Sequence, residues 1–221
     1  MERMDRVRRV GGLLWVAVGL VFGLGWAALG RVVPGTITLA ISTVIVVLAC
    51  LVMAGARSAL AGRVVAVLLA AQFAGAVADR FGAFGPPGAP GVSWGSWRAF
   101  VDYTALLLHG APRATVVGGA ALATVIEVAL AVALLSGWQR RWVGKATAGL
   151  LFCYLAAMAA SVGWGEIARY GVPIQIGGAL LVTVSGRTQG AAQSADVRRT
   201  RPFARKNRSI AAEASGPVGS V

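Results

Sequence analysis

Residues 114–136 read ATVVGGAALATVIEVALAVALLS and contain a single charged residue, Glu127. This run of about 23 residues is long enough for a helix that crosses the hydrocarbon core of a bilayer, which takes about 20 residues. A carboxyl group near the centre of such a helix costs roughly 3 kcal/mol on insertion scales. The sequence therefore predicts a membrane helix whose acid is shielded, paired or used by neighbouring segments.

The composition of the whole chain is typical of an integral membrane protein. Hydrophobic residues make up 57% of the chain and charged residues 13%, whereas charged residues make up about 25% of an average soluble domain. The net charge of +13 comes from basic residues that flank apolar runs or lie in the C-terminal tail. This distribution indicates membrane topology, so we expect the lipid bilayer and no nucleic acid as a partner.

Apolar stretches predict an all-α membrane bundle of about six transmembrane helices. They cover residues 10–30, 37–54, 64–77, 114–136, 146–162 and 170–184. The first stretch is longer than the apolar core of a typical signal peptide, which favours a retained anchor over a cleaved signal.

The Lys and Arg residues predict the orientation, because they concentrate at one set of helix ends. These ends carry Arg3, Arg6, Arg8, Arg9, Arg57, Arg63, Arg140, Arg141, Lys145 and the tail from Arg187 onward. We therefore expect a multi-pass protein of the inner cell membrane with both termini in the cytoplasm. An even number of crossings agrees with that orientation.

Composition also divides the chain into segments. Residues 1–56 form an N-terminal hairpin, residues 62–184 a four-helix membrane domain, and residues 79–113 an outer, periplasmic loop. In that loop, apolar residues on one side predict a short interfacial helix after Trp94 and Trp97; they are Phe100, Val101, Ala105, Leu106 and Leu108. Residues 186–221 are basic and have few large apolar groups, which predicts a disordered cytoplasmic tail.

Three polar residues fall at one depth when residues are counted from the helix ends at 1.5 Å each. They are Gln72, Glu127 and Tyr154, on three different predicted helices. We expect Gln72 and Tyr154 to donate hydrogen bonds to Glu127, which burial would keep neutral, and Gln175 could join them. Two interpretations stay open: Glu127 is a proton acceptor or ligand group for a quinone-like molecule, or it stabilises helix packing.

A second polar cluster is predicted at the outer rim of the bundle. It includes Asp79, Arg80, Asp102, Tyr103, His109, Glu166 and Tyr170, with Trp94 nearby. Asp79 and Arg80 are adjacent at a helix end and can pair with other groups. His109 could donate a proton near neutral pH, but a single His at an interface is more often only solvated.

Several kinds of site lack their motif in this sequence. Cys50 and Cys153 stand alone in apolar runs, which predicts two buried, inert thiols rather than a thiol–disulfide centre. One His cannot supply a multi-histidine metal or haem site, and no metal site is expected. No dinucleotide fingerprint, phosphate loop or Ser/His/Asp set occurs, so no cofactor is encoded by a motif.

Two stretches resemble the DoxX family of small bacterial membrane proteins: AVADRFGAFGPPGAPGVSWGSWRAFVDYTA and ATVIEVALAVALLSGWQRRW. The resemblance covers roughly residues 62–184. Its matching features are Asp79-Arg80-Phe81-Gly82, Gly85-Pro86-Pro87-Gly88, Ser93-Trp94-Gly95, Tyr103-Thr104 and the TxxE pattern that ends at Glu127. The N-terminal hairpin departs from a minimal member of the family.

This resemblance implies a four-helix bundle with a membrane-dipping segment after its first helix. It also implies association with membrane redox systems, since the family takes its name from a subunit of a thiosulfate:quinone oxidoreductase. We therefore expect a quinone-linked redox component or accessory subunit, with a membrane or cytoplasmic oxidoreductase as partner and a quinone or quinol as ligand. Whether the chain is itself an enzyme stays open. A scaffold for a partner enzyme and a carrier of small molecules or protons are the alternatives.

Overall fold

The described part of the chain is entirely helical. The computed structural model describes residues 2–29, 42–49 and 58–183, and these contain no strand. The helices are α1 (Glu2–Ala28), α2 (42–49), α3 (Ser58–Arg80), α4 (Trp97–Leu107), α5 (Arg113–Ser136), α6 (Arg140–Ser161), α7 (Trp164–Tyr170) and α8 (Val172–Thr183).

Four of these helices are long and apolar enough to cross a membrane, which identifies a helical membrane protein. They cover Arg9–Ala28, Leu60–Arg80, Arg113–Ser136 and Arg140–Ser161. Their outward faces expose large apolar side chains such as Leu122, Val125 and Val132 on α5, each more than 60% exposed. Such a surface suits contact with acyl chains and would be costly in water.

The predicted count of six spans is not established. The stretch 37–54 lies partly outside the described residues, of which 42–49 are helical. The stretch 170–184 is represented by α8, which begins after Gly171, a residue in the left-handed conformation (φ 61°) between α7 and α8. As described, α8 is about 18 Å long at 1.5 Å per residue, which is shorter than a membrane core.

Helix α8 lies at the centre of the bundle. Every residue from Val172 to Ala179 is buried, so this helix is surrounded on all sides. Small residues let its neighbours approach closely: a Cβ atom on Gly177 would lie only 2.6 Å from the carbonyl oxygen of Gly12 on α1. Gly144 of α6 contacts the backbone of α8 in the same way.

Helices α3 and α5 pack extensively against each other. The last residue of α3, Arg80, contacts Thr124, which lies about 16 Å along α5 from its first residue. The chain therefore leaves α3 beside the middle of α5, and the following segment packs along the first part of α5 instead of beyond its end.

The predicted short helix in this segment is present as α4. Its first backbone N–H groups are capped by Ser96, whose Oγ accepts from Ala99 N–H at 3.2 Å. Phe100 and Val101 pack against Val116 and Ala120 of α5. The predicted apolar side was partly wrong: Thr104 is buried with Phe100 and Val101, whereas Ala105, Leu106 and Leu108 are exposed.

We expect Gly177→Ala to destabilise the bundle. The added methyl group would meet Gly12 and Val16 at less than 3 Å, and overpacking of this kind costs about 1–3 kcal/mol. Gly149→Ala on α6 is the matched control, because a Cβ atom there meets nothing within 4 Å. Thermal unfolding in detergent micelles measures both variants, and equal midpoints would contradict the close crossing of α1 and α8.

Candidate functional site

A buried ion pair joins the end of α3 to the middle of α5. Arg80 Nη2 lies 2.7 Å from Glu127 Oε2 and donates to Glu127 Oε1 at 2.8 Å. Both side chains are only 2% exposed. Glu127 therefore has a buried cationic partner, which the sequence analysis did not predict.

Two further hydrogen bonds complete this network. Arg80 Nη1 donates to Thr124 Oγ1 at 2.8 Å, and Tyr154 OH donates to Glu127 Oε1 at 2.5 Å. Thr124 and Glu127 are three residues apart on α5 and therefore share a face. The hydrogen bond predicted from Tyr154 is confirmed, and the network connects α3, α5 and α6.

Aromatic rings cover the guanidinium of Arg80 on its other side. Its Cζ atom lies 3.7 Å from the ring centroid of Phe100 and 5.3 Å from that of Trp94. Cations bind favourably over aromatic faces, most strongly where water is excluded. Arg80 is thus held between a carboxylate and two rings contributed by the segment that follows α3.

Asp79 positions that segment. Its Oδ2 accepts the backbone N–H groups of Ser93 at 2.9 Å and Trp94 at 3.0 Å. The next residue, Gly95, has φ +65°, and a Cβ atom there would lie 2.5 Å from the backbone of Pro87. The loop can fold back onto Asp79 only with a glycine at this point, and that fold places the indole of Trp94 above Arg80.

The network forms one wall of a cavity of about 300 Å³. Apolar side chains make up most of its lining and include Phe73, Phe100, Leu107, Leu151, Met158 and Val172. Polar groups also reach it, namely Gln72, Arg80, Tyr103, Glu127, Tyr154 and Gln175. The three polar residues predicted at one depth therefore do meet, around a cavity.

Cys153 of α6 lines the cavity and is exposed, although the sequence suggested a buried thiol. Cys153 lies about 20 Å along α6 from Arg140, well inside the candidate span. The cavity therefore has an exposed lining residue at a depth where acyl chains would surround the helix. The other predicted thiol, Cys50, lies outside the described residues.

Four buried polar atoms on residues that line the cavity have no hydrogen-bond partner in the described residues. Arg80 Nε and Glu127 Oε2 belong to the ion pair, and Gln72 Oε1 and Tyr103 OH lie outside it. Gln72 was predicted to donate to Glu127, but Arg80 occupies that position instead. Burial, with a smaller effect from Tyr170 and Glu166, raises the pKa of Tyr103 above its usual range, so its hydroxyl keeps its proton and can donate.

The remaining predicted site residues have different surroundings. Gln175 Nε2 donates to the carbonyl oxygen of Tyr170 at 2.6 Å, across the break between α7 and α8. Tyr170 in turn has its ring parallel to that of Trp94, with centroids 6.3 Å apart. His109 is exposed after the end of α4 and does not line the cavity. The residues predicted as one polar cluster at the outer rim therefore do not stay together. Asp79, Arg80 and Tyr103 lie in the interior, whereas His109 is exposed.

Sequence reasoning missed the partner of Glu127 and the role of Phe100. The sequence contained one indication for Arg80, namely its position at the end of an apolar helix. An arginine at such a position can be solvated or can pair in the interior, so the position did not identify Glu127 as its partner. No group of three or more His, Cys, Asp or Glu side chains in the described ranges could hold a metal ion.

Comparisons with family models, with curated proteins and with solved structures give no match to this chain.

We expect Glu127→Ala to lower the free energy of unfolding by about 3–5 kcal/mol, because it leaves the guanidinium of Arg80 buried without a carboxylate. Val125→Ala, on the exposed side of the same helix, should cost less than about 1 kcal/mol. Denaturant unfolding in micelles compares the two.

The double variant Arg80→Met, Glu127→Leu should cost less than the sum of its single variants, since both buried charges are then removed together. Additive costs would show that the two side chains do not interact.

Proposed function

We propose that this protein binds a membrane-soluble quinone or quinol in the cavity beside Arg80 and Glu127. In this role it would be a DoxX-like, quinone-linked redox component or an accessory subunit of a membrane oxidoreductase. The observation that carries the proposal is an apolar cavity that contains unpartnered polar groups and has an exposed lining residue, Cys153, at mid-span. Ligand sites commonly combine an apolar lining with a few polar groups that fix orientation.

The size and position of the cavity favour a flat ring with an apolar tail. A volume of about 300 Å³ is at the low end of the range for small-molecule sites, roughly 300–1,000 Å³. It suits a headgroup better than a whole lipid. An isoprenoid tail would extend past the exposed Cys153 into the acyl chains.

The contacts of Glu127 suggest that it positions other groups and does not bind the ligand itself. Its Oε1 already accepts from Arg80 and Tyr154, and its Oε2 lies against the guanidinium. Gln72 and Tyr103 are available instead. The Tyr103 hydroxyl can donate to a quinone carbonyl, and the Gln72 amide oxygen can accept from a quinol hydroxyl. We therefore assign the ligand contacts to Gln72 and Tyr103.

The redox role depends on the resemblance to the DoxX family together with this cavity. A partner oxidoreductase or the bound quinol would supply the electrons. We also propose the cell membrane as the location, with cytoplasmic termini, because Arg140, Arg141 and Lys145 cluster at the turn between α5 and α6.

We expect a benzoquinone with one isoprenoid unit to bind the wild-type protein in neutral detergent, and Tyr103→Phe and Gln72→Leu each to weaken binding by about 3–10-fold. Each variant removes one hydrogen bond worth about 1 kcal/mol. Neither polar atom has a partner in the described protein, so neither variant should lower the unfolding temperature without ligand.

Val125→Ala is the control, since this exposed residue lies outside the cavity. Titration by fluorescence quenching or calorimetry gives the affinities. No binding by the wild type, or equal affinity in all variants, would overturn the assignment of the cavity.

A further inference from the structure

The turn between α5 and α6 holds arginines whose N–H groups have no acceptor. Arg140 Nε, Arg140 Nη1 and Arg141 Nε are all buried and without a hydrogen-bond partner among the residues that the structure describes. A buried donor left unpaired on a charged group is costly, more so than on a neutral one. An acceptor that comes from outside the described protein would remove this cost.

Basic residues are concentrated around this turn. Arg63 of α3 repels Arg140, and Arg141 is its neighbour in the chain. Four carboxylates lie elsewhere: Asp79 and Glu127 are in the buried network, and Asp102 and Glu166 belong to the segments near the other end of α5. None of these four accepts from the buried N–H groups of Arg140 and Arg141, so these donors remain available to an anion.

The arginines at the other end of α5 have quite different surroundings. Arg98 and Arg113 are 87% and 74% exposed and lie within 4.0 Å of Asp102. They are solvated and have a carboxylate nearby. Of the two ends of α5, the α5–α6 turn is thus the one whose arginines have buried and unpaired N–H groups. Among the described residues, the other such arginine nitrogen is Arg80 Nε, in the interior network.

Two tryptophans place this turn at the level of lipid headgroups. Trp138 and Trp142 are 66% and 61% exposed, and they flank the arginines at the point where one candidate span ends and the next begins. Lys145 Nζ lies 4.3 Å from the ring centroid of Trp142. Exposed indoles beside basic residues are typical of the membrane interface, where lipid phosphates lie.

We propose that the α5–α6 turn binds the phosphate of an anionic phospholipid through Arg140 and Arg141. Guanidinium groups bind phosphate through paired N–H donors, which matches the unpartnered atoms. An anionic lipid fits better than a zwitterionic one because Arg140, Arg141 and Lys145 place three positive charges within six residues of the chain. This site is separate from the cavity and does not depend on the quinone proposal.

The test is a titration of short-chain phosphatidylglycerol into the full-length protein in neutral detergent, with affinity measured by native mass spectrometry. We expect the wild type to bind the lipid. The single variants Arg140→Gln and Arg141→Gln should each bind it roughly fivefold more weakly than the wild type. Arg98→Gln and Arg113→Gln, at the opposite end of α5, are the matched controls and should bind as the wild type does.

Further arms separate the sources of binding. Arg140→Lys keeps the charge but loses the paired donors, so its affinity should fall between those of the wild type and Arg140→Gln. Phosphatidylcholine and inorganic phosphate should bind at least tenfold more weakly than phosphatidylglycerol. Equal affinity of the two Gln variants and the controls would overturn the proposal and assign binding to the overall positive charge. Equal binding of inorganic phosphate would overturn the choice of a lipid.

Discussion

The structure around the site depends on the pairing of Arg80 with Glu127 in the interior of a membrane protein. Neither charge is tolerable there alone, and removing either partner of a buried pair is typically costly. The pair brings the end of α3 to the middle of α5, with the two carboxylate oxygens 2.7 and 2.8 Å from one guanidinium nitrogen. Because α3 ends at that level, the next segment must pack inside the length of α5.

That segment carries the groups which cover the ion pair. Asp79, the neighbour of Arg80, accepts two backbone N–H groups of the loop, and the loop places Trp94 and Phe100 over the guanidinium. Adjacent residues thus have complementary roles: one fixes the loop and the other joins the helices. Asp79 contacts the loop and Arg80 contacts Glu127, and the adjoining cavity is lined mostly by apolar groups. Gln72 Oε1 and Tyr103 OH also line this cavity and have no hydrogen-bond partner in the described residues.

The protein contains charge in two distinct settings. In the interior, Arg80 is neutralised by a carboxylate and covered by rings. At the α5–α6 turn, Arg140 and Arg141 have buried N–H groups without a hydrogen-bond partner among the described residues. The difference is physical: a charge in the bundle core must find its partner in the protein, whereas a charge at the headgroup level can find it in the lipid.

The sequence alone determined the features that depend on local composition and length. An apolar run of membrane length predicted α5, and the depth of Glu127 predicted a hydrogen bond from Tyr154. Apolar residues after Trp94 and Trp97 predicted a short helix; all three features are present, although the apolar side of that helix was partly wrong. Tertiary structure decided the rest. Arg80 lies 47 residues from Glu127, so only the packing of α3 on α5 could select it over Gln72 as the partner. The burial of α8 was also hidden, because an apolar stretch faces lipid or protein according to its neighbours, and neighbours are a property of the folded chain.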